Sequence, residues 1–345
     1  MVSPAPDPIA AAESLPYDLL AQEAPAIRAR LNRFRTGLQR WFVGKSHIVD
    51  LMTICAVARE PLLLVGPPGT AKSALILKFR DALGIADTDY FEYMLTRFTE
   101  PSEVLGPIDI QELRRGRYTR RVGGRLPTAR MVFLDEIFKS SSAILNSLLT
   151  IVNEKKYYQD GRPVPVALRV LMAATNGIPE QEELAALKDR FCLKVASRSV
   201  QDDHFLDLLD AGLEDATHRD LGRRPWAEGH ATLVDIVKAH RYLSLTMARK
   251  EVGPGGTDLR DRHTFFSEPL LAELRRLIKT LVREDKVFVS DRKVIKLYRL
   301  LRTRAWLERG GQVEREDLIL LSYLGETDEE VDILEEKVPR LLGLV

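Results

Sequence analysis

The sequence predicts an α/β fold in which a parallel five-stranded sheet lies between helix layers and is followed by a mainly helical region. Three observations carry that expectation. Short unbroken apolar runs at 61–65, 91–95, 131–134, 169–173 and 191–195 have strand length and no polar alternation, as strands covered on both faces do. Segments with the three-and-four spacing of helices separate several of these runs, which is the alternation of a parallel sheet. After about Ser199 the strand signals stop and helical patterns continue.

Along the chain, residues 1–25 hold five prolines and few large apolar groups, and read as a flexible lead-in that packs weakly. Ser3, Pro4, Pro6, Asp7 and Pro8 stand where a signal sequence would be basic and then apolar, and no apolar run approaches the roughly 18 residues of a membrane span. The cytoplasm is the expected compartment. Ile27, Leu31, Phe34, Leu38 and Trp41 mark one amphipathic helix. Ile48, Leu51, Met52 and Cys55 begin another after the Val43-Gly44 break. Both precede the first strand. Beyond the fifth strand, 201–212, 231–249, 268–284, 290–309 and 314–324 read as helices, with Gly253-Pro254-Gly255-Gly256 as a loop. The expected division is a lead-in over 1–25, an α/β core over 26–200 and a helical domain over 201–345.

A chain of 345 residues is long enough for about two domains. Its 51 Lys+Arg stand against 50 Asp+Glu, so any attraction for nucleic acid or an anionic membrane must come from a local patch, not the whole surface. Cys55 and Cys192 lie far apart in apolar runs, without the spacing of a metal site or a disulfide framework, and read as buried reduced thiols.

The most informative stretch is Gly66-Pro67-Pro68-Gly69-Thr70-Ala71-Lys72-Ser73, directly after the first strand and opening a helical run from Ala74 to Leu83. A strand, a glycine-rich loop and a helix in that order form a P-loop. Its backbone amides converge on phosphate oxygens where the helix dipole adds positive potential, and glycines allow the close approach. Lys72 then supplies an ammonium to the β- and γ-phosphates and Ser73 a hydroxyl to Mg²⁺. The usual pattern has glycine before the lysine, so Ala71 requires a backbone that tolerates a Cβ. Met131-Val132-Phe133-Leu134-Asp135-Glu136 ends a strand in two carboxylates. Ligands bind at the carboxyl ends of parallel strands, which puts Asp135 on the metal and makes Glu136 the general base for water. Asp135 could otherwise cap the helix that follows. The strand over 170–175 ends at Asn176, placed to sense the γ-phosphate or, with Gly177, simply to turn the chain.

Gly66 to Ser73, Leu134-Asp135-Glu136-Ile137 and Ala174-Thr175-Asn176 resemble the AAA+ ATPases, and within them the MoxR family and its RavA-like branch. Leu95-Thr96-Arg97-Phe98-Thr99-Glu100-Pro101 with Gly106-Pro107, Phe138-Lys139, the run Ala143 to Leu149, Asn153-Glu154 and Ala71 itself support the narrower placement. The resemblance covers about Ala26 to Leu324. It implies a P-loop AAA+ core with a helical lid, binding ATP and Mg²⁺ and hydrolysing ATP in a homo-oligomeric ring, commonly a hexamer. It further implies adenine beside Val43 and Gly44, nucleotide contacts from Gly66 through Ala74, an arginine finger at Arg190 reaching a neighbouring subunit's site, and a sensor at Arg292. A protein client or a partner with a von Willebrand factor A domain is implied as well. For Arg292 there is a separate argument. If Ser290 caps its helix, Arg292 and Lys293 stand in a first turn whose dipole disfavours cations unless a phosphate is near.

Arg114, Arg115, Arg117, Arg120, Arg121 and Arg125 form the sharpest charge bias, between the second and third strands. They suit a solvated hairpin, an acidic protein partner or nucleic acid. Lys155 to Gly161 reads as a second hairpin with paired tyrosines, fit for a polypeptide or for cross-strand packing. The function expected is ATP-driven, chaperone-like remodelling of a protein partner. A nucleic-acid-stimulated motor or loader, and a nucleotide-gated scaffold with little turnover, are the alternatives.

Overall fold

The computed structural model describes residues 7–344 except 253–257. The chain opens with α1 (Pro8–Ser14), α2 (Tyr17–Gln39) and α3 (Ser46–Ala58) before β1 (Leu62–Val65) and α4 (Lys72–Ala82). Next come β2 (Tyr90–Met94), the short α5 (Pro101–Leu105) and α6 (Ile110–Arg114), β3 (Met131–Asp135) and α7 (Ser142–Glu154). A hairpin of β4 (Lys156–Gln159) and β5 (Arg162–Pro165) precedes β6 (Val170–Thr175), α8 (Ala185–Lys188) and β7 (Leu193–Ala196). The rest is α9 (Gln201–Asp220), α10 (Leu233–Ala248), β8 (Lys250–Val252), β9 (Asp258–Arg260), α11 (Asp261–Phe265), α12 (Glu268–Glu284), α13 (Asp291–Arg309) and α14 (Asp328–Leu341).

The expected sheet is present: β2, β3, β6, β1 and β7 pair in that order, all parallel. Its central strands are buried throughout, which is why their sequence shows no alternation. One face packs against α2, α3 and α4 and runs without a break into α10, α12, α13 and α14. The other carries α7 and the segment around Leu126. The C-terminal helices thus share the first core, and α10 lies along α2.

The structure corrects four expectations. The lead-in is not loose over residues 7–25. Pro8 opens α1 with Asp7 accepting from the Ile9 amide at 3.0 Å, and Pro16 precedes α2. Proline at a helix start loses nothing, so a proline count misreads this segment; Ile9, Ala12, Leu20 and Ala24 are buried, and the stretch 1–6 lies outside the described residues. The basic segment is not a hairpin but α6, a turn and an extended return bridged only at Ile108 and Arg120. Strand does occur after 199, as the β8–β9 ribbon, although the glycine-rich loop between its strands lies outside the described residues. Residues 315–323 wind as a 3₁₀ helix, and α14 went unread. Cys55 and Cys192 are buried free thiols, the latter pushed up to about 12 by burial. Among the described residues no helix is long and apolar enough to cross a membrane.

Candidate functional site

The P-loop leaves β1 at Gly66, whose amide donates to the Thr175 carbonyl of β6 at 3.1 Å. A Cβ at Gly66 would stand 2.4 Å from the Ser197 carbonyl oxygen, so only glycine fits this approach of two backbones. Ser197, just past β7, fastens the loop from below: its amide donates to Val65 O at 2.6 Å and its hydroxyl to Thr70 O at 2.7 Å. Ala71 sits at φ 66° as the residue before α4. The backbone there does not welcome a Cβ, contrary to the requirement read from the sequence; an L-residue in the left-handed region costs about 1–2 kcal/mol. The first amides of α4, at Lys72 and Ser73, have no carbonyl partner inside the helix and face the end where its dipole is positive.

Lys72 is buried and folds back on the loop, donating to Gly66 O at 2.5 Å, Pro67 O at 2.9 Å and Asn176 Oδ1 at 3.3 Å. Burial lowers its pKa, against the opposing pull of Asp135 and Glu136. Glu136 is buried at the tip of β3 in the left-handed region, φ 52°, backbone strain of the kind that collects at functional positions. Its Oε1 accepts from Asn176 Nδ2 and lies 3.2 Å from Lys139 Nζ. Asp135 Oδ1 accepts the Glu136 amide at 2.9 Å; it does not cap α7, whose preceding residue is Ser141. Asn176 therefore links the P-loop ammonium to the strand-end carboxylate across three strands. Gly177, immediately after it, is held separately, its carbonyl accepting from Thr175 Oγ1 at 2.7 Å.

A cleft of about 180 Å³ continues from the loop, lined by Val43, Gly69, Thr70, Ala71 and Ala74 and closed by α9. Gly44 turns the chain there at φ 65°, and a Cβ on it would meet Val200 at 2.8 Å. Pro68 and Gly69 are exposed on the loop's outer side. Sequence reasoning missed Lys45 in this cleft. Its ammonium donates to Ser197 Oγ at 3.3 Å and to the Arg198 carbonyl, and burial, with Arg198 and Lys72 nearby, pushes its pKa down to about 8. Adjacency to Val43-Gly44 was the one available signal. Ser197 had none.

Ser73 and Asp135 offer a hydroxyl and a carboxylate, both hard oxygen donors, and no cluster of three His, Cys, Asp or Glu exists among the described residues. Mg²⁺ keeps most of its waters and takes only one or two protein oxygens beside substrate phosphates, so this pair fits it.

Arg190 and Arg292 lie elsewhere. Arg190 follows α8 at the start of β7, the end of the sheet opposite Gly66, on the order of 15 Å away by strand rise. Its Nη1 is 3.4 Å from Asp189 Oδ2, its Nε is buried without a partner, and burial together with Arg292 lowers its pKa. Ser290 does cap α13, accepting the Lys293 amide at 3.1 Å. Arg292, however, stands 3.9 Å from Asp189, not at its own P-loop. Lys293 faces no phosphate either: it is fully buried, donating to Phe288 O at 2.9 Å and to Glu326. Glu326 also takes Lys194 of β7 at 3.0 Å, so the cation cost read at the first turn of α13 is met for Lys293 by this carboxylate.

The arginine cluster is mostly occupied. Arg115 and Arg117 pair with Glu112 at 3.0 and 2.5 Å, Arg121 with Asp109 at 3.1 Å, and Arg120 and Arg125 each donate to a carbonyl at 2.9 Å. On the β4–β5 hairpin Tyr157 is buried while Tyr158 is exposed, so packing accounts for one tyrosine of the pair.

Residues 29–229 match the family described as the MoxR domain in the MoxR-vWA-beta-propeller ternary systems, and 268–338 match an AAA lid domain. That description gives the MoxR family and does not name the RavA-like branch the motifs suggested. Two uncharacterized proteins of Methanocaldococcus jannaschii are 30% and 29% identical, over 86% and 87% of this chain and 70% and 72% of their own lengths. The chaperone MoxR1 of Mycobacterium tuberculosis is 25% identical over 46% of this chain and 41% of its own. A crystal structure of a candidate ATPase from Cytophaga hutchinsonii superimposes with a TM-score of 0.65 at 16% identity, covering 94% of this chain and 95% of that one; at that identity it speaks for the fold alone.

Proposed function

This chain belongs to the MoxR family of AAA+ ATPases, and from that premise we propose that it hydrolyses MgATP in a homo-oligomeric ring, a hexamer in its full form, and uses the turnover to remodel or activate a protein partner. One observation carries the reading: Asn176 bridges Lys72 and Glu136, so loop, sensor and base form one connected unit. ATP entering the site would draw Lys72 off the loop carbonyls and onto the β- and γ-phosphates, with adenine in the cleft beside Val43, Gly44 and α9. Ser73 and Asp135 would hold Mg²⁺, which neutralises phosphate charge when bound. Glu136, released from Asn176, orients and deprotonates the attacking water, and Asn176 then contacts the γ-phosphate. Loss of that phosphate returns Asn176 to Glu136, which ties nucleotide state to the tips of β3 and β6.

Arg190 completes a site it cannot reach in its own subunit. A guanidinium with an unpartnered buried Nε, on the far end of the sheet, serves a neighbour's phosphate, and Arg292 beside it acts in the same direction. The partner is a protein of the von Willebrand factor A type. With Arg115, Arg117 and Arg121 already paired to acids of their own segment, an acidic protein surface has a better claim than nucleic acid on what remains of that patch. The deciding experiment is Mg²⁺-dependent phosphate release by the purified protein, with capture of clients on Glu136→Gln in ATP. Absence of Mg²⁺-dependent turnover would reject the reading, and stimulation by DNA in place of protein would redirect it.

A further inference from the structure

Two features of the molecule remain unexplained by the nucleotide site. The first is α9. None of its residues is buried, and Phe205, Leu206, Leu209 and Leu213 are 58%, 72%, 47% and 67% exposed. Their spacing puts them on one stripe. Asp207, Asp210 and Glu214 form an exposed acidic stripe beside it, and the whole helix holds seven acids against one arginine. Its third side, with Leu208, Ala211 and Gly212, closes the nucleotide cleft. An apolar stripe of this size on a helix that caps an active site marks a contact surface.

The second is a cavity of about 740 Å³ between α13 and the amino ends of β1 and β6. Six cations line it against two carboxylates. Glu13 takes Arg59 and Arg169 at 2.6 and 2.7 Å, and Glu60 takes Lys296 at 3.1 Å. Arg299, at 3.8 Å from Glu60, and Arg292, at 3.9 Å from Asp189, are half-exposed and loosely held, while Lys155 is set among Lys296, Arg59 and Arg169. Ile295, 59% exposed, adds an apolar spot to the same wall. The balance of charge in this groove is strongly positive.

We infer that the acidic and apolar outer face of α9 in one copy of this chain seats in the cationic groove along α13 of the next copy. The inference rests on the ring reading and names the surfaces that make the ring. Its register follows from the site. When Arg190 and Arg292 of one copy reach the triphosphate of another, Lys296 and Arg299 stand one and two turns further along α13, about 6 and 10 Å on. That carries them over the flank of the cleft that α9 forms. Acids of one subunit meet cations of the next that share the single carboxylate of Glu60, and Ile295 meets the leucine stripe. Because α9 also closes the cleft, nucleotide occupancy and subunit contact bear on the same helix.

Charge reversal tests this in the full chain. Arg299→Glu leaves Glu60 paired to Lys296, and Asp207→Lys/Asp210→Lys changes only exposed positions, so both fold, as circular dichroism checks. Each is expected to weaken ATP-dependent self-association, measured by sedimentation, by about tenfold or more. Combining the reversals in one chain restores association by re-forming the pairs with opposite polarity. Wild-type association that both reversals leave unchanged overturns the docking and leaves the ring reading intact, as does a combined variant no better than the single ones. A wild-type protein that stays monomeric with ATP overturns both.

Discussion

The two ends of the central sheet are built on opposite plans. At the carboxyl ends of β1, β3 and β6, the reactive groups lie within a few residues of a strand tip and touch one another: Lys72 meets Asn176, and Asn176 meets Glu136. At the amino ends, Arg190, Arg292 and the cations along α13 come from distant parts of the chain and outnumber their acceptors, with Arg190 and Arg292 sharing Asp189 at 3.4 and 3.9 Å. One end joins an ammonium, an amide and a carboxylate in one connected set. The other is a set of cations in excess over the carboxylates that hold them. Under the proposed function the two ends act together only between copies, and a head-to-tail assembly, which closes into a ring when its rotation permits, would bring them together.

That comparison breaks most readily at the chemical end. Glu136→Gln is expected to keep ATP binding and to lower turnover about 10²–10⁴-fold, read as phosphate release beside nucleotide affinity; unchanged turnover removes the base. Arg190→Ala should lower turnover by on the order of 10³ while leaving affinity nearly intact. Mixing the two variants sharpens the point, since an intact P-loop end in one chain then faces an intact arginine in the other. Activity should reappear in the mixture, and a mixture as inert as its components would show that the two ends do not meet.

Smaller effects probe how each end is supported. Glu326→Gln leaves the buried ammoniums of Lys194 and Lys293 without their carboxylate, and should cost about 3–5 kcal/mol of stability, seen in denaturant titration. Ala71→Gly relieves a left-handed Cβ but gives the unfolded chain more freedom. The first term, about 1–2 kcal/mol, exceeds the second, about 0.4–1 kcal/mol, so the variant should be slightly more stable. Smallest is a pH effect. Lys45, Lys155 and Lys194 are pushed from 10.5 down to about 8, in each case chiefly by burial. Between about pH 8 and 10 the unfolded chain then binds more protons than the folded one, so stability rises with pH across that window. Lys155→Met should flatten part of that rise; a fall in wild-type stability over the same range would contradict the assigned environments.

The sheet, its parallel sense and the chemical end were legible in the sequence because their causes are local. A strand covered on both faces must be apolar throughout, and a loop that cradles phosphate needs its glycines, lysine and hydroxyl within a few residues. The lead-in was misread because proline both breaks helices and starts them, and only the packing of Ile9 and Leu20 against the core distinguishes the two. Ala71 was legible as an oddity, but its strain was not, since the path of the loop depends on Ser197 and Thr175, which hold Thr70 and Gly66 from distant parts of the chain.

What the sequence by itself determined is therefore the parallel five-stranded sheet and the glycine-rich loop that leads from β1 into α4. Only the tertiary structure decided that Arg292 stands with Arg190 and not with Lys72, that Lys293 is spent on Glu326, and that an acidic helix flanks one end of the subunit while a basic groove opens at the other. The physical reason is distance along the chain. Spacing fixes which residues share a loop or a helix face, whereas the pairing of groups a hundred residues apart depends on which end of a strand each element packs against.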